Sequence, residues 1–142
     1  MPLKASRTDM WTCPLEDRAG GTAEKLDALA KAGANLEMVF ARRAPEQPDK
    51  GLLFVSPVKG AKAMRAAEAA GITKAAGIHA VRVEGGDKPG LGAKIARGLG
   101  DAGISFRGLT AIAVGRKFIS YIALDNDTDA AKAVTALNKL KI

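Results

Sequence analysis

Hydrophobic and polar positions alternate most clearly at 79–84, where Val81 and Val83 fall on one side and Ala80, Arg82 and Glu84 on the other. A period of two with β-branched residues predicts a half-buried strand. A shorter extended run at 10–15 holds Trp11, Thr12 and Cys13. Helical spacing follows each run. Ala23, Leu26 and Ala30 recur at that spacing in the first, and Leu91, Ile95, Leu99 and Ala102 in the second. Gly33 and Gly103 stand where a helix C-terminus favours a residue at positive φ. Two strands come next in each case. In the first they are 35–43 and 51–56, joined by the polar loop 44–50. In the second they are 105–114 and 118–124, joined tightly at Gly115-Arg116-Lys117 as a β-hairpin. Helices near 61–70 and 128–138 complete the pattern. A short strand at 72–75 closes the first half, and the corresponding strand of the second half is very short or absent.

The two halves are copies. Asp17-Arg18-Ala19-Gly20 lies over Asp87-Lys88-Pro89-Gly90 at an offset of seventy residues. At that offset and without a gap, Ala23 meets Ala93, Leu29 meets Leu99, Ala32-Gly33 meets Ala102-Gly103, and Asn35-Leu36 meets Ser105-Phe106. An internal repeat of this kind sets the whole architecture. The order β-α-β-β-α-β, twice over, is the ferredoxin-like arrangement. The expected class is α+β: two ferredoxin-like units in tandem, at 9–76 and 77–142, each an antiparallel sheet with helices on one face. The other face and the sheet edges then need cover, from the second copy or from a second chain.

Composition narrows the picture. Hydrophobic residues make up 47% of the 142 residues and aromatics only 4%, so the core must be built from Ala, Val, Leu and Ile. No apolar run approaches the ~20 residues that span a bilayer. Residues 1–10 lack the apolar stretch of a secretory signal, and the single Cys13 cannot form an internal disulfide. These features point to the cytoplasm. The net charge of +7 falls mainly in the second half. It admits an anionic partner, but lysines on solvated helix faces are the simpler account.

The segments 15–20 and 84–91, each a strand running into an acidic-basic-X-Gly turn and then a helix, resemble the signature of ACT domains. The helix-ending turns Ala32-Gly33-Ala34-Asn35 and Ala102-Gly103-Ile104-Ser105 strengthen the resemblance, which extends from about Asp9 to Ile142. It implies a regulatory module that binds a small molecule, most often an amino acid, at an interface between two units near the first strand-helix turn. The implied contacts are Asp17, Gly20, Gly21, Asn35 and Leu36 in the first copy, and Asp87, Pro89, Gly90, Leu91 and Ser105 in the second. Physical chemistry supports the placement. Glycine lets the backbone approach a ligand, and unpaired amides at a helix start attract a carboxylate. Asn35 offers both donor and acceptor. Each feature also has a purely structural reading. Gly20 and Gly90 suit any tight strand-to-helix turn, Asn35 can satisfy backbone groups after its helix, and Asp17 and Asp87 can favour a helix N-terminus.

The copies depart from the family pattern differently. The first has Ala19 in place of Pro and Gly21 in place of an apolar residue. The second keeps Pro89-Gly90-Leu91 but has Ser105 in place of Asn. Only one turn is therefore expected to bind ligand well. The resulting expectation is a non-enzymatic sensor with no cofactor and no metal, a homodimer acting through a separate regulated protein. The alternative is a protein- or RNA-interaction module of the same fold without a small-molecule ligand.

Other chemistries fare worse. Gly90-Leu91-Gly92 opens a helix, but Ile95 occupies the third glycine position of a dinucleotide fingerprint and the unit is not a parallel βαβ series. One histidine and one cysteine make neither a zinc site nor a catalytic triad. His79 and Cys13 read as structural residues. The basic pairs Arg42-Arg43 and Arg116-Lys117 could meet phosphates. The strands, however, carry few aromatics (Phe40, Phe54, Phe106, Phe118 and Tyr121) and no RNA-stacking pattern.

Overall fold

The structure is a computed structural model and describes residues 2–142. In chain order its elements are β1 (Lys4–Thr8), β2 (Trp11–Glu16), α1 (Gly21–Lys31), β3 (Met38–Arg43), β4 (Lys50–Ser56), α2 (Ala61–Ala69) and β5 (Thr73–Lys74). Then come β6 (His79–Gly86), α3 (Leu91–Asp101), β7 (Gly108–Val114), β8 (Lys117–Leu124) and α4 (Asp127–Asn138). The repeat is visible in the backbone: α3 starts and ends seventy residues after α1. Two compact units result, Asp9–Ala75 and a second made of 76–142 with 2–8. The chain thus enters the second unit, leaves it to build the first, and returns. We refer to Asp9–Ala75 as the inserted unit and to the other as the host unit.

The inserted unit is an antiparallel sheet in the order β3-β4-β2-β5. Alternation along β2 sends Trp11, Cys13 and Leu15 inward, and β4 adds Leu53 and Val55. Leu29 of α1, Ala63 and Ala67 of α2, and Ile72 close over them. A fully buried Leu or Val side chain stabilises by about 1.5–3 kcal/mol, so this light core rests on few residues. Its helix face differs from the sequence pattern. Ala23 and Ala30 are exposed, and α1 buries Gly21 and Leu29 with Leu26 packed alongside. The larger leucines take the core and turn the alanines outward.

The host unit has the order β1-β6-β8-β7, also antiparallel throughout. Leu91, Ile95 and Leu99 of α3 pack on Val81, Val83, Ile122 and Leu124 of the sheet, with Ala130, Ala133 and Leu137 of α4. Its fourth strand is β1, paired with β6 from Lys4↔Glu84 to Thr8↔Ala80. The closing strand that the sequence leaves missing after α4 is thus supplied from the N-terminus, a segment the sequence reading leaves unassigned. Both units keep the ferredoxin-like strand order. Helices α1 and α3 end alike. Gly33 and Gly103 take φ of +80° and +73°, and the next amides, Ala34 and Ile104, donate back to Leu29 and Leu99 at 3.0 and 2.9 Å. These turns delay β3 and β7, which begin at Met38 and Gly108 rather than at 35 and 105.

Candidate functional site

Strand β2 stops at Glu16 because the chain turns on itself. The Arg18 amide donates to the Glu16 carbonyl at 2.9 Å, the Asp17 amide to the Asp49 carbonyl at 3.0 Å, and the Gly21 amide to the Arg18 carbonyl at 3.1 Å. Gly20 then enters the left-handed region at φ +85°, which glycine alone adopts freely. Gly21 opens α1 so close to β2 that a Cβ there would lie 2.4 Å from the Glu16 carbonyl oxygen. No side chain caps this helix start, so beyond the Gly21 amide, which the Arg18 carbonyl takes, the first turn can still offer amides to an anion.

Beside this turn lies a cleft of about 160 Å³, lined by Pro14, Leu15, Glu16, Arg18, Gly21, Glu24, Lys25 and Lys50. Its charges are already organised in pairs. Lys50 Nζ stands 2.7 Å from Glu16 Oε1, and Arg18 Nη2 2.6 Å from Glu24 Oε1. The hydrogen bond and charge of Lys50 hold the Glu16 carboxyl below the usual carboxylate range, with smaller help from Arg18. Glu24 raises the Arg18 guanidinium in the same way, by hydrogen bond and charge. Lys25 donates to the Ala70 carbonyl at 2.6 Å, and an ammonium has two further protons to offer. Cys13 lies on β2 in the core of the same unit. Burial pushes its thiol up, against a smaller opposing effect of Lys25, which suits an inert buried thiol.

The equivalent turn of the host unit repeats the backbone but not the cleft lining. Gly90 takes φ +81° and α3 again lacks a side-chain cap. The Asp87 amide donates to the Arg116 carbonyl at 2.8 Å, tying the turn to the β7–β8 hairpin. Where the inserted unit has Gly21, Leu91 plunges into the core at 2% exposure. Asp87, Pro89 and Gly90 are exposed.

Of the residues that the sequence singles out, Gly21 lines the cleft and Gly20 shapes its turn. Asp17 is engaged elsewhere, accepting from Arg43 Nε at 2.9 Å. Asn35 and Ser105 are exposed beyond the helix-ending turns, and Leu36 packs against the core; none of the three lines the cleft. Glu16, Arg18, Glu24, Lys25 and Lys50 were not singled out. The β2–β4 register, which sets Glu16 opposite Lys50, brings in the residue furthest away in sequence. Among the described residues no group of three or more His, Cys, Asp or Glu is placed to hold a metal ion. Among the described residues no helix is long and apolar enough to cross a membrane either.

No protein-family model matches the sequence, and no curated protein matches it either. Solved structures do. Protein BT0572 from Bacteroides thetaiotaomicron superposes with a TM-score of 0.76 at 20% identity, over 92% of this chain and 88% of that one. The regulatory subunit of aspartate kinase from Thermus thermophilus, in its ligand-free form, gives 0.66 at 17% identity over 100% and 98% of the two chains. Aspartate kinase from Clostridium acetobutylicum, described as an allosteric enzyme, gives 0.60 at 16% identity; 97% of this chain covers 33% of that one. The likeness shows the fold: two ferredoxin-like units in a single chain.

Proposed function

We propose that this protein is a ligand-sensing regulatory module. In this reading it binds an amino acid in the cleft at the β2–α1 turn and acts on a separate protein partner, without chemistry of its own. The cleft itself carries the proposal. It joins an uncapped helix start to three cationic and two carboxylate side chains within about 160 Å³. An amino acid is a zwitterion. Its carboxylate suits the helix amides with Arg18 or Lys25, and its ammonium suits Glu16 or Glu24. The volume suits a molecule of that size.

The similar structures support the regulatory part of the reading. One is a regulatory subunit matched along nearly its whole length, and in the Clostridium enzyme the matched portion is a third of the chain. Such a module regulates a separate partner by favouring one of the partner's states over another, which requires ligand to bind the two states unequally. The Leu91 side chain at the host turn makes the sites inequivalent, so one ligand per chain is expected.

Thermal unfolding against the twenty amino acids tests the reading. A ligand at ~100 times its dissociation constant adds about 2.7 kcal/mol if it binds only the folded protein. One or a few L-amino acids should raise the melting temperature by several degrees, with the D-enantiomers inert. The response should vanish in Arg18→Ala or Glu24→Gln while the unliganded melt stays within a degree or two. No shift from any amino acid, or a shift unchanged in both variants, counts against the site.

A further inference from the structure

We infer that the cleft at the β2–α1 turn selects an amino acid with an acidic side chain, and that Lys25 is the residue that selects it. The inference rests on the reading of the cleft as an amino-acid site and names the ligand class. Its first support is the stripe on α1. Gly21, Lys25 and Leu29 are four residues apart and share one helix face. Gly21 and Leu29 are the buried residues of that helix. The host helix shows what the same stripe holds in the other copy. At the seventy-residue offset stand Leu91, Ile95 and Leu99, all packed in the host core. A half-buried lysine thus takes the place of a core isoleucine. Helical side chains lean toward the N-terminus, which carries Lys25 back to the turn, where it lines the cleft.

The second support is charge. An ammonium drawn partly out of water needs a partner, and Lys25 has only a neutral one, the Ala70 carbonyl at 2.6 Å. The other cations of the cleft are matched, Lys50 by Glu16 and Arg18 by Glu24. Among the described residues Lys25 is the one cleft charge with no opposite charge in contact. The cleft therefore holds one positive charge in excess. A zwitterion with an uncharged side chain brings one charge of each sign and leaves that excess standing. A second carboxylate cancels it, and a basic side chain doubles it.

The roles then divide without conflict. The α-carboxylate takes the helix amides with Arg18, and the α-ammonium takes Glu16 or Glu24. Glu16 is ready for this, since Lys50 keeps its carboxyl ionised below the usual range. The side-chain carboxylate takes Lys25, which gives one proton to Ala70 and has two left. The host turn cannot repeat this set, because Gly86, Lys94 and Ile95 stand where the inserted unit has Glu16, Glu24 and Lys25.

Calorimetric titration of the full chain with L-aspartate, L-glutamate, L-asparagine, L-glutamine and L-lysine tests this. Each acid and its amide share a shape and differ by one charge. At least one acid should bind about tenfold or more tighter than its amide, and L-lysine should not bind. An amide equal to its acid, or any other amino acid preferred to both acids, overturns this inference and leaves the amino-acid site standing. Silence from all twenty amino acids overturns both. Lys25→Gln keeps a donor for Ala70 without the charge, and in it the acid should lose its advantage over the amide; a preserved advantage overturns the role of Lys25. Should that variant lose its circular dichroism spectrum, the Lys25 side-chain NMR signal of the wild type decides. A shift on adding the acid and not the amide supports the pairing, and an unmoved signal overturns it.

Discussion

Gly21 and Leu91 occupy one position in two copies of one turn; Gly21 lines a cleft, and Leu91 is buried in the host core. At Gly21 an added methyl would meet a backbone oxygen at 2.4 Å, an atom that cannot rotate away. Gly21→Ala should therefore push α1 off β2, destabilise the protein by about 1–3 kcal/mol and abolish the ligand response. Gly92 of α3 makes the contrast, since a Cβ there meets nothing within 4 Å. Gly92→Ala should stabilise by about 0.4–1 kcal/mol through the unfolded chain. Urea denaturation of both variants checks the pair, and equal effects would refute this account of the turn. Charge at the same turn gives a pH prediction. Glu16 has a folded-state pKa below its ordinary value because Lys50 binds the carboxylate. Its stabilising contribution is therefore complete above the usual carboxylate range and disappears as pH falls through the lowered value. In Lys50→Met the Glu16 carboxyl carbon should titrate at higher pH by NMR; an unmoved titration would mean the pair is not formed in solution. The sequence revealed Gly21 as a departure but not what it opens onto. Glu16 and Lys50 meet only through strand register, and Asp17, a ligand contact by the sequence reading, is held by an arginine 26 residues away.

At the scale of elements, most of the fold was legible because its periodicities are clean: Leu91, Ile95 and Leu99 mark α3, and Val81 and Val83 mark β6. Strand β1 was not, for a physical reason. In Lys4-Ala5-Ser6-Arg7-Thr8 only Ala5 is buried, so the segment has no hydrophobic alternation to read. What makes it a strand is its partner β6 and a polar clamp from α4. Asn138 binds both backbone groups of Ala5, and Arg7 pairs with Asp127 at 2.7 Å. With His79 nearby, Arg7 keeps the Asp127 carboxyl below its ordinary range. Buried backbone groups stripped of partners cost about 1–3 kcal/mol. Asn138→Ala should accordingly destabilise by that order and speed exchange of the Ala5 amide more than that of amides in β8. Uniform acceleration across the host sheet would show that β1 is held by strand pairing alone.

For the whole molecule, the repeat in the sequence and the division of the structure are different facts. The sequence shows two copies in succession. The backbone shows one copy inserted into the other, because the host sheet borrows its fourth strand from before the insertion. The host unit therefore contains all four of its strands and both helices without residues 9–75. Thr8 and Ala80 face each other in the β1–β6 ladder, so the ends left by removing the insertion are already within reach of a two-residue hairpin turn. A chain in which Thr8 runs through Asn-Gly directly into Ala80 should fold as an independent four-stranded unit with a cooperative thermal transition. Calorimetry and amide NMR dispersion measure this. A molten or aggregated product would mean that the host core, with its few aromatics, needs the inserted unit to fold. If the shortened chain folds, it should show no amino-acid response, because the cleft at Gly21 has gone with residues 9–75.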